Sequence, residues 1–365
     1  MKYSFLFLFV LFMMPFSSSI FIENGKMEPP ALNEGLFSNT ELVGERILED
    51  DLGLSLYVVG PYLLVKQDQG NNDKIVFKVY DLDDLSFLGN VGLRGRQGPN
   101  TFCGVNYSGQ FYENNGDYII WVNDPPKFRI SAINITQSLK KKETVIERYI
   151  QHDPELDFMN ALFIVDSVNL AGHQPGFHPG SNMKPLNIYK NGEFSSYGDY
   201  PLVTNSNKFP KWNGGRNFNS VRLTMKPDES RFAVGMLHYD RLDILDKEGE
   251  LINSNRDAEN YKTYDVNDIY YSDMAMKEGV KFYYVGAYAT NDLLFTLYYD
   301  VKRVDYESIY PTKIRVFDWD GNLKHELNCP DHLWNISVDE QNGYLYGGSY
   351  TQEKLMRYNI KGYLY

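Results

Sequence analysis

The stretch Lys313–Ile360 constrains the fold most. It reads KIRVFDWDGNLKHELNCPDHLWNISVDEQNGYLYGGSYTQEKLMRYNI. Four short β-type runs stand in it: Ile314–Trp319, Trp334–Val338, Tyr344–Tyr350 and Leu355–Ile360. Each is rich in Ile, Val, Tyr or Trp and is bounded by turn residues. Asp320-Gly321 and Asn342-Gly343 are strong hairpin signals, because tight two-residue turns need positive φ at their centre.

The rest of the chain repeats this unit with variations. A first unit holds Leu54–Val59, Tyr62–Gln67, Ile75–Leu82 and Leu85–Val91. A second holds Gly104–Tyr107, Tyr118–Val122, Phe128–Ile135 and Thr144–Tyr149. A third holds Ala161–Val165, Leu186–Tyr189 and Gly192–Tyr197, with Gly172–Asn182 read as an insertion. A fourth holds Ser220–Met225, Arg231–Met236, Leu242–Leu245 and Gly249–Asn253. A fifth runs from Met274 through Lys281–Tyr288, Ile314–Trp319 and Asn322–Leu327, with an excursion at Asp292–Ser308. The sixth has three runs after Trp334. A period of roughly 55–60 residues predicts an all-β, six-bladed β-propeller of four-stranded blades. The spare run Thr40–Leu48 is expected to pair as the outermost strand of the last unit and close the ring.

Residues Met1 to Ser19 read as a signal peptide: Lys2 is followed by the apolar run Phe5–Phe16 and by small residues at Ser17–Ser19. Residues 20–39 are then a linker and 40–365 the propeller. No cysteine follows the apolar run, so a lipoprotein anchor is not expected, and no other stretch is long and apolar enough to span a bilayer. The mature chain is expected to be exported, periplasmic or secreted, and monomeric. A net charge of −12 disfavours nucleic acid and anionic membranes as partners. The two cysteines, Cys103 and Cys329, are too few for a disulfide framework and are expected to be unpaired.

An amide or carboxylate stands close after an aromatic near the head of the first strand in most units: Asn160, Asn219, Asp273 and Asn335, with Asn106 as a looser case. In the first unit Asp51 or Ser55 comes nearest. Equivalent residues of repeated blades converge on one axis, so these five are expected to ring one mouth of the central channel. They either hold a ligand or bond inter-blade backbone, as such residues often do. Oxygen donors of this kind suit Ca²⁺ better than a transition metal, with Asn160, Asn219 and Asp273 as its ligands if it is bound. The loop Leu88–Phe102 supplies Arg94 and Arg96. They would bind an anionic group near the mouth, or pair with nearby carboxylates.

This loop, Gly92-x-x-Gly95-x-x-Gly98-Pro99-x-x-Phe102, resembles the glycine-rich loop of the exported, bacterial TolB-like six-bladed β-propellers. The closing Ile336-Ser-Val-Asp339, Gly343-Tyr-Leu-Tyr346 and Lys354-Leu-Met-Arg-Tyr358 do too. Asn100-Thr101 stands where that family has Gly-Glu. The resemblance spans roughly Thr40–Ile360 and implies a fold and an export route, without catalytic residues.

Other chemistry is thinner. His173 and His178 are read as a solvated loop pair, and His238, Asp240 and Asp243 as a solvent-facing hairpin. No Gly-x-Ser-x-Gly elbow occurs. Trp121, Trp212 and Trp319 are candidates for a binding rim or for inter-blade packing. Two functions remain. One is a propeller that binds a small molecule, a carbohydrate or a protein at the cell envelope, with no cofactor. The other is a Ca-dependent lactonase- or gluconolactonase-like hydrolase with the metal in the channel.

Overall fold

The computed structural model describes residues 40–48, 55–67, 74–153, 156, 159, 161–166, 169–173, 184–201, 203–204, 219–256, 264–272, 275–305 and 311–364. The leader and linker read from the sequence lie outside these residues. Six antiparallel sheets form the body, each a meander from an inner to an outer strand. Blade 1 is built on the inner strand Ser55–Val59 and ends with Phe87–Arg94. The inner strands of blades 2 to 6 are Asn106–Asn114, Ala161–Ile164, Val221–Met225, Lys281–Ala289 and Leu333–Asp339.

Packing shows why six sheets make one ring. The buried apolar side chains fall into six clusters, and each joins two neighbouring blades. Phe77 and Val91 of blade 1 meet Tyr107 and Ile133 of blade 2, for example, and Leu242 of blade 4 meets Tyr283 and Trp319 of blade 5. The last cluster sets Leu56, Val58 and Leu63 of blade 1 against Tyr346 and Leu355 of blade 6. Each sheet is covered on both faces, which is the condition for burying apolar residues on both sides of a strand.

The hairpin signals hold: Gly321 and Gly343 take φ of +84° and +75°, the region that favours glycine. Three expectations need correction. Thr40–Leu48 is a strap rather than one strand. Gly44–Ile47 pairs antiparallel with Lys354–Asn359 as the outermost strand of blade 6, while Thr40–Glu41 pairs in parallel with Leu323–Cys329 at the edge of blade 5. Second, the stretch read as an excursion contains Leu293–Lys302, the second strand of blade 5. Its run from Leu293 to Tyr299 is buried throughout, so no alternation marks it. Third, the insertion in blade 3 begins inside a strand, Asn169–His173. Gly172 interrupts its apolar pattern because a Cβ there would stand 2.4 Å from the Ala161 carbonyl oxygen. The second unit also carries an unforeseen helix, Ile135–Lys141, whose first turn is capped by Asn134 accepting from Gln137 N.

Closure makes a measurable claim. Ile47 is 5% exposed and packs in the blade 6–blade 1 cluster, while Val43, four residues earlier in the same strap, is 86% exposed. Ile47→Ala should cost about 2–4 kcal/mol in urea unfolding. Val43→Ala should stay within about 0.5 kcal/mol. Equal, small effects at both positions would show that the strap does not close the ring.

Candidate functional site

The inner strand of each blade turns one edge toward the channel, leaving a row of N–H and C=O groups without a ladder partner. Polar side chains of the neighbouring blade take up many of them. The Tyr57 hydroxyl of blade 1 donates to the Tyr107 carbonyl of blade 2 at 3.4 Å. From blade 2, Ser108 Oγ donates to Leu162 O at 3.0 Å, and the Gln110 amide donates to Ile164 O and accepts from Ile164 N at 2.6 and 2.8 Å. Arg222 Nε of blade 4 donates to Val285 O of blade 5 at 2.7 Å. Asn335 Nδ2 of blade 6 donates to Leu56 O of blade 1 at 3.1 Å, and Val58 N donates to Ser337 Oγ at 2.7 Å. Tyr288 of blade 5 reaches beyond blade 6, its hydroxyl donating to Val58 O at 3.4 Å.

Donor and acceptor positions advance together, Asn335 with Leu56 and then Ser337 with Val58. Adjacent inner strands therefore run the same way, and their heads gather at one end of the channel, the entry mouth. Asn106 opens the inner strand of blade 2 and is exposed. Asn219 stands two residues ahead of the inner strand of blade 4, and its Oδ1 accepts from Tyr239 OH at 3.2 Å. Asn335 is the third residue of its strand and serves as an inter-blade strut through Nδ2. Asn160, Asp273 and Asp51 lie outside the described residues, while Ser55 heads the inner strand of blade 1.

The two loop arginines differ in setting. Arg94 ends the outermost strand of blade 1, where Nε donates to Ile75 O at 3.2 Å and Nη2 to Gln67 O at 2.7 Å. The loop that follows starts at the perimeter. Blade 2 grips it: Lys127 Nζ donates to Gly98 O and Thr101 O, Arg129 to Pro99 O and Thr101 O, and the Asp124 carboxylate accepts from Cys103 N and Gly104 N. Its glycines and proline thus serve a pinned crossing, from which Arg96 is exposed.

The hairpin expected to face solvent is buried, with His238, Asp240 and Asp243 at 3%, 1% and 1% exposure. Burial is tolerated because each group has a partner. Asp240 accepts from Tyr298 OH at 2.7 Å and faces Arg315 at 3.5 Å, and Arg315 in turn bonds Glu326 at 3.0 Å. Asp243 pairs with Arg241 at 2.6 Å, and His238 Nδ1 donates to Lys281 O at 2.9 Å. The Asp240 and His238 contacts tie blade 4 to blade 5. His173 is likewise buried rather than solvated, its Nδ1 donating to Pro185 O at 3.0 Å, and burial pushes its pKa down to about 4. His178 and Trp212 lie outside the described residues. Trp121 and Trp319 are buried in interfaces between blades. Neither cysteine is in a disulfide. Among the described residues no group of three or more His, Cys, Asp or Glu could hold a metal ion.

Apart from Asn335, the bridging channel residues escaped the sequence reading: Tyr57, Ser108, Gln110, Arg222, Tyr288 and Ser337. Polar or hydroxylated residues two apart on the first strand of a unit would have marked such positions, as in Ser55/Tyr57, Asn106/Ser108/Gln110 and Asn335/Ser337.

No family model matches the chain, and no curated protein matches it. The fold is similar to a crystal structure of a DUF4221 family member from Bacteroides vulgatus, at 14% identity and a TM-score of 0.53, covering 89% of this chain and 97% of that one. A Bacteroides fragilis protein described as exported aligns over 88% of this chain and 96% of its own, at 11% identity and a TM-score of 0.48.

Two outcomes separate strut from surface. Asn335→Ala should cost about 1 kcal/mol in urea unfolding, since it strands the Leu56 carbonyl. Asn106→Ala should stay within about 0.5 kcal/mol. A separate outcome concerns pH. His173 is neutral in the fold down to about pH 4, whereas its ordinary value is 6.5. The unfolded chain therefore binds the extra proton, and stability falls as pH drops through this window. His173→Asn should remove that share of the slope. The parent should lose about 2 kcal/mol more than the variant between about pH 7 and 4.5. Parallel losses would contradict the buried neutral imidazole.

Proposed function

We propose that the chain is an exported, non-catalytic binding propeller whose ligand site is the entry mouth. The carrying observation is positional: Asn106, Asn219 and Asn335 stand near the heads of three inner strands that open at one end of the channel. Asn160 directly precedes the inner strand of blade 3 in sequence, and Asp273 precedes that of blade 5 by eight residues; both lie outside the described residues. The buried carboxylates Asp124, Asp240, Asp243 and Asp331 are committed to backbone, tyrosine or arginine partners, which suits a scaffold better than a general base. The glycine loop and the closing motif support kinship with the TolB-like exported propellers. Export rests on the leader-like Met1–Ser19. No helix among the described residues is long and apolar enough to cross a membrane. Partners of this class are small molecules, carbohydrates or proteins at the envelope.

The competing reading is a Ca-dependent lactonase with Asn160, Asn219 and Asp273 on the metal. Calorimetric titration of EDTA-stripped protein with CaCl₂, paired with a gluconolactone hydrolysis assay, separates the two. The binding propeller predicts no stoichiometric Ca²⁺ and no hydrolysis above background. One bound Ca²⁺ with hydrolysis that Asp273→Asn abolishes would replace it with the enzyme.

A further inference from the structure

We infer that the cleft under the N-terminal strap binds a small amphipathic amine, and that the bound amine locks the strap onto blade 6. This site lies beside the outermost strand of the blade, apart from the entry mouth.

The cleft has a volume of about 600 Å³, within the roughly 300–1,000 Å³ of small-molecule sites. The strap forms one wall, with Leu42 and Val43. The loop residues Pro330 and Asp331, which lead into blade 6, and Met356 of that blade form the other. Gly44 lets the strap lie against the blade, because a Cβ there would stand 2.5 Å from the Tyr358 ring. The Tyr358 hydroxyl in turn donates to Asp331 Oδ2 at 2.6 Å. One tyrosine therefore supports both the strap and the carboxylate.

The charge in this cleft points to a cation. Asp331 is 4% exposed, and its carboxylate accepts from two neutral hydroxyls, those of Tyr358 and, at 3.3 Å, Ser349. Among the described residues it forms no ion pair. A buried carboxylate is ordinarily paired with a cation, and two hydroxyls use only about half of its acceptor sites. The other charges lining the cleft are Glu41 and Arg46, both exposed. Arg46 Nη2 is engaged with Gln352 Oε1 at 2.7 Å. Two carboxylates against one guanidinium leave the lining net negative, in a chain of net charge −12. An ammonium group matches that charge and donates hydrogen bonds without accepting any. The apolar wall selects the rest of the molecule. Val43 is 86% exposed, so an apolar body laid on it removes both surfaces from water. Because the cleft exists only while the strap is docked, its ligand binds the closed form and stabilises it by mass action.

Calorimetry with 2-phenylethylammonium chloride and uncharged 2-phenylethanol tests this on the parent, Val43→Lys and Asp331→Asn. The amine should bind the parent at least about tenfold more tightly than the alcohol. Val43→Lys adds a cation at an exposed position of the cleft and should weaken the amine at least about tenfold. Asp331→Asn should bring the amine down to the affinity of the alcohol. If Asp331→Asn does not fold, Val43→Lys and the alcohol decide. Native-state hydrogen exchange reads the lock. The Leu42 N–H donates to Asn328 O at 2.8 Å, and it should exchange about tenfold more slowly at about ten times the Kd of the amine. No amine binding to the parent, an alcohol that binds as tightly, or full binding by Val43→Lys each overturns the inference. Amine binding that leaves Leu42 exchange unchanged would place the ligand elsewhere and overturn it as well.

Discussion

A ring of separate sheets has a problem at its axis. Every inner strand faces the channel with an unpaired backbone edge, and such an edge invites pairing with another chain. Here the edge is dressed by the neighbouring blade. Tyr57, Ser108, Gln110, Arg222, Asn335 and Ser337 each bond the next inner strand. These bonds set blade-to-blade height, and the six apolar clusters between blades then pack on that register. Each such hydrogen bond is worth only about 1 kcal/mol net, but leaving its buried backbone partner unmade costs more.

The seam between blades 6 and 1 bears this constraint most sharply, because its contacts join residues 279 apart in sequence. Loop closure over that distance is paid once, and the N-terminal strap shares the work by pairing with the outer strands of blades 5 and 6. Blade 6 is thereby completed by the start of the chain.

Much of this was legible in the sequence. Asp320-Gly321 and Asn342-Gly343 mark hairpins that form, and the three runs of the sixth unit together with the spare Thr40–Leu48 foretell closure. What stayed hidden has physical causes. Leu293–Lys302 is buried on both faces, so it lacks the alternation that announces a strand. Asn169–His173 contains Gly172, placed there by a close backbone approach. Asp240 and Asp243 look like surface residues in LHYDRLD, because their partners Arg315 and Tyr298 come from another blade while Arg241 lies within the hairpin itself. At the mouth, the recurring amides were visible, but the same side-chain types serve as struts or as exposed groups. Asn335 reaches Leu56 while Asn106 faces solvent, and spacing alone does not tell them apart.

The structural role of the channel residues is tested most directly at one amide. Val58 N–H lies on the inner edge of blade 1 and donates to Ser337 Oγ rather than to a strand. Native-state hydrogen exchange should find this amide as protected as the ladder amides of the same strand, and Ser337→Ala should selectively remove that protection. A Val58 amide that exchanges freely in the parent, or one whose protection survives Ser337→Ala, would contradict the account.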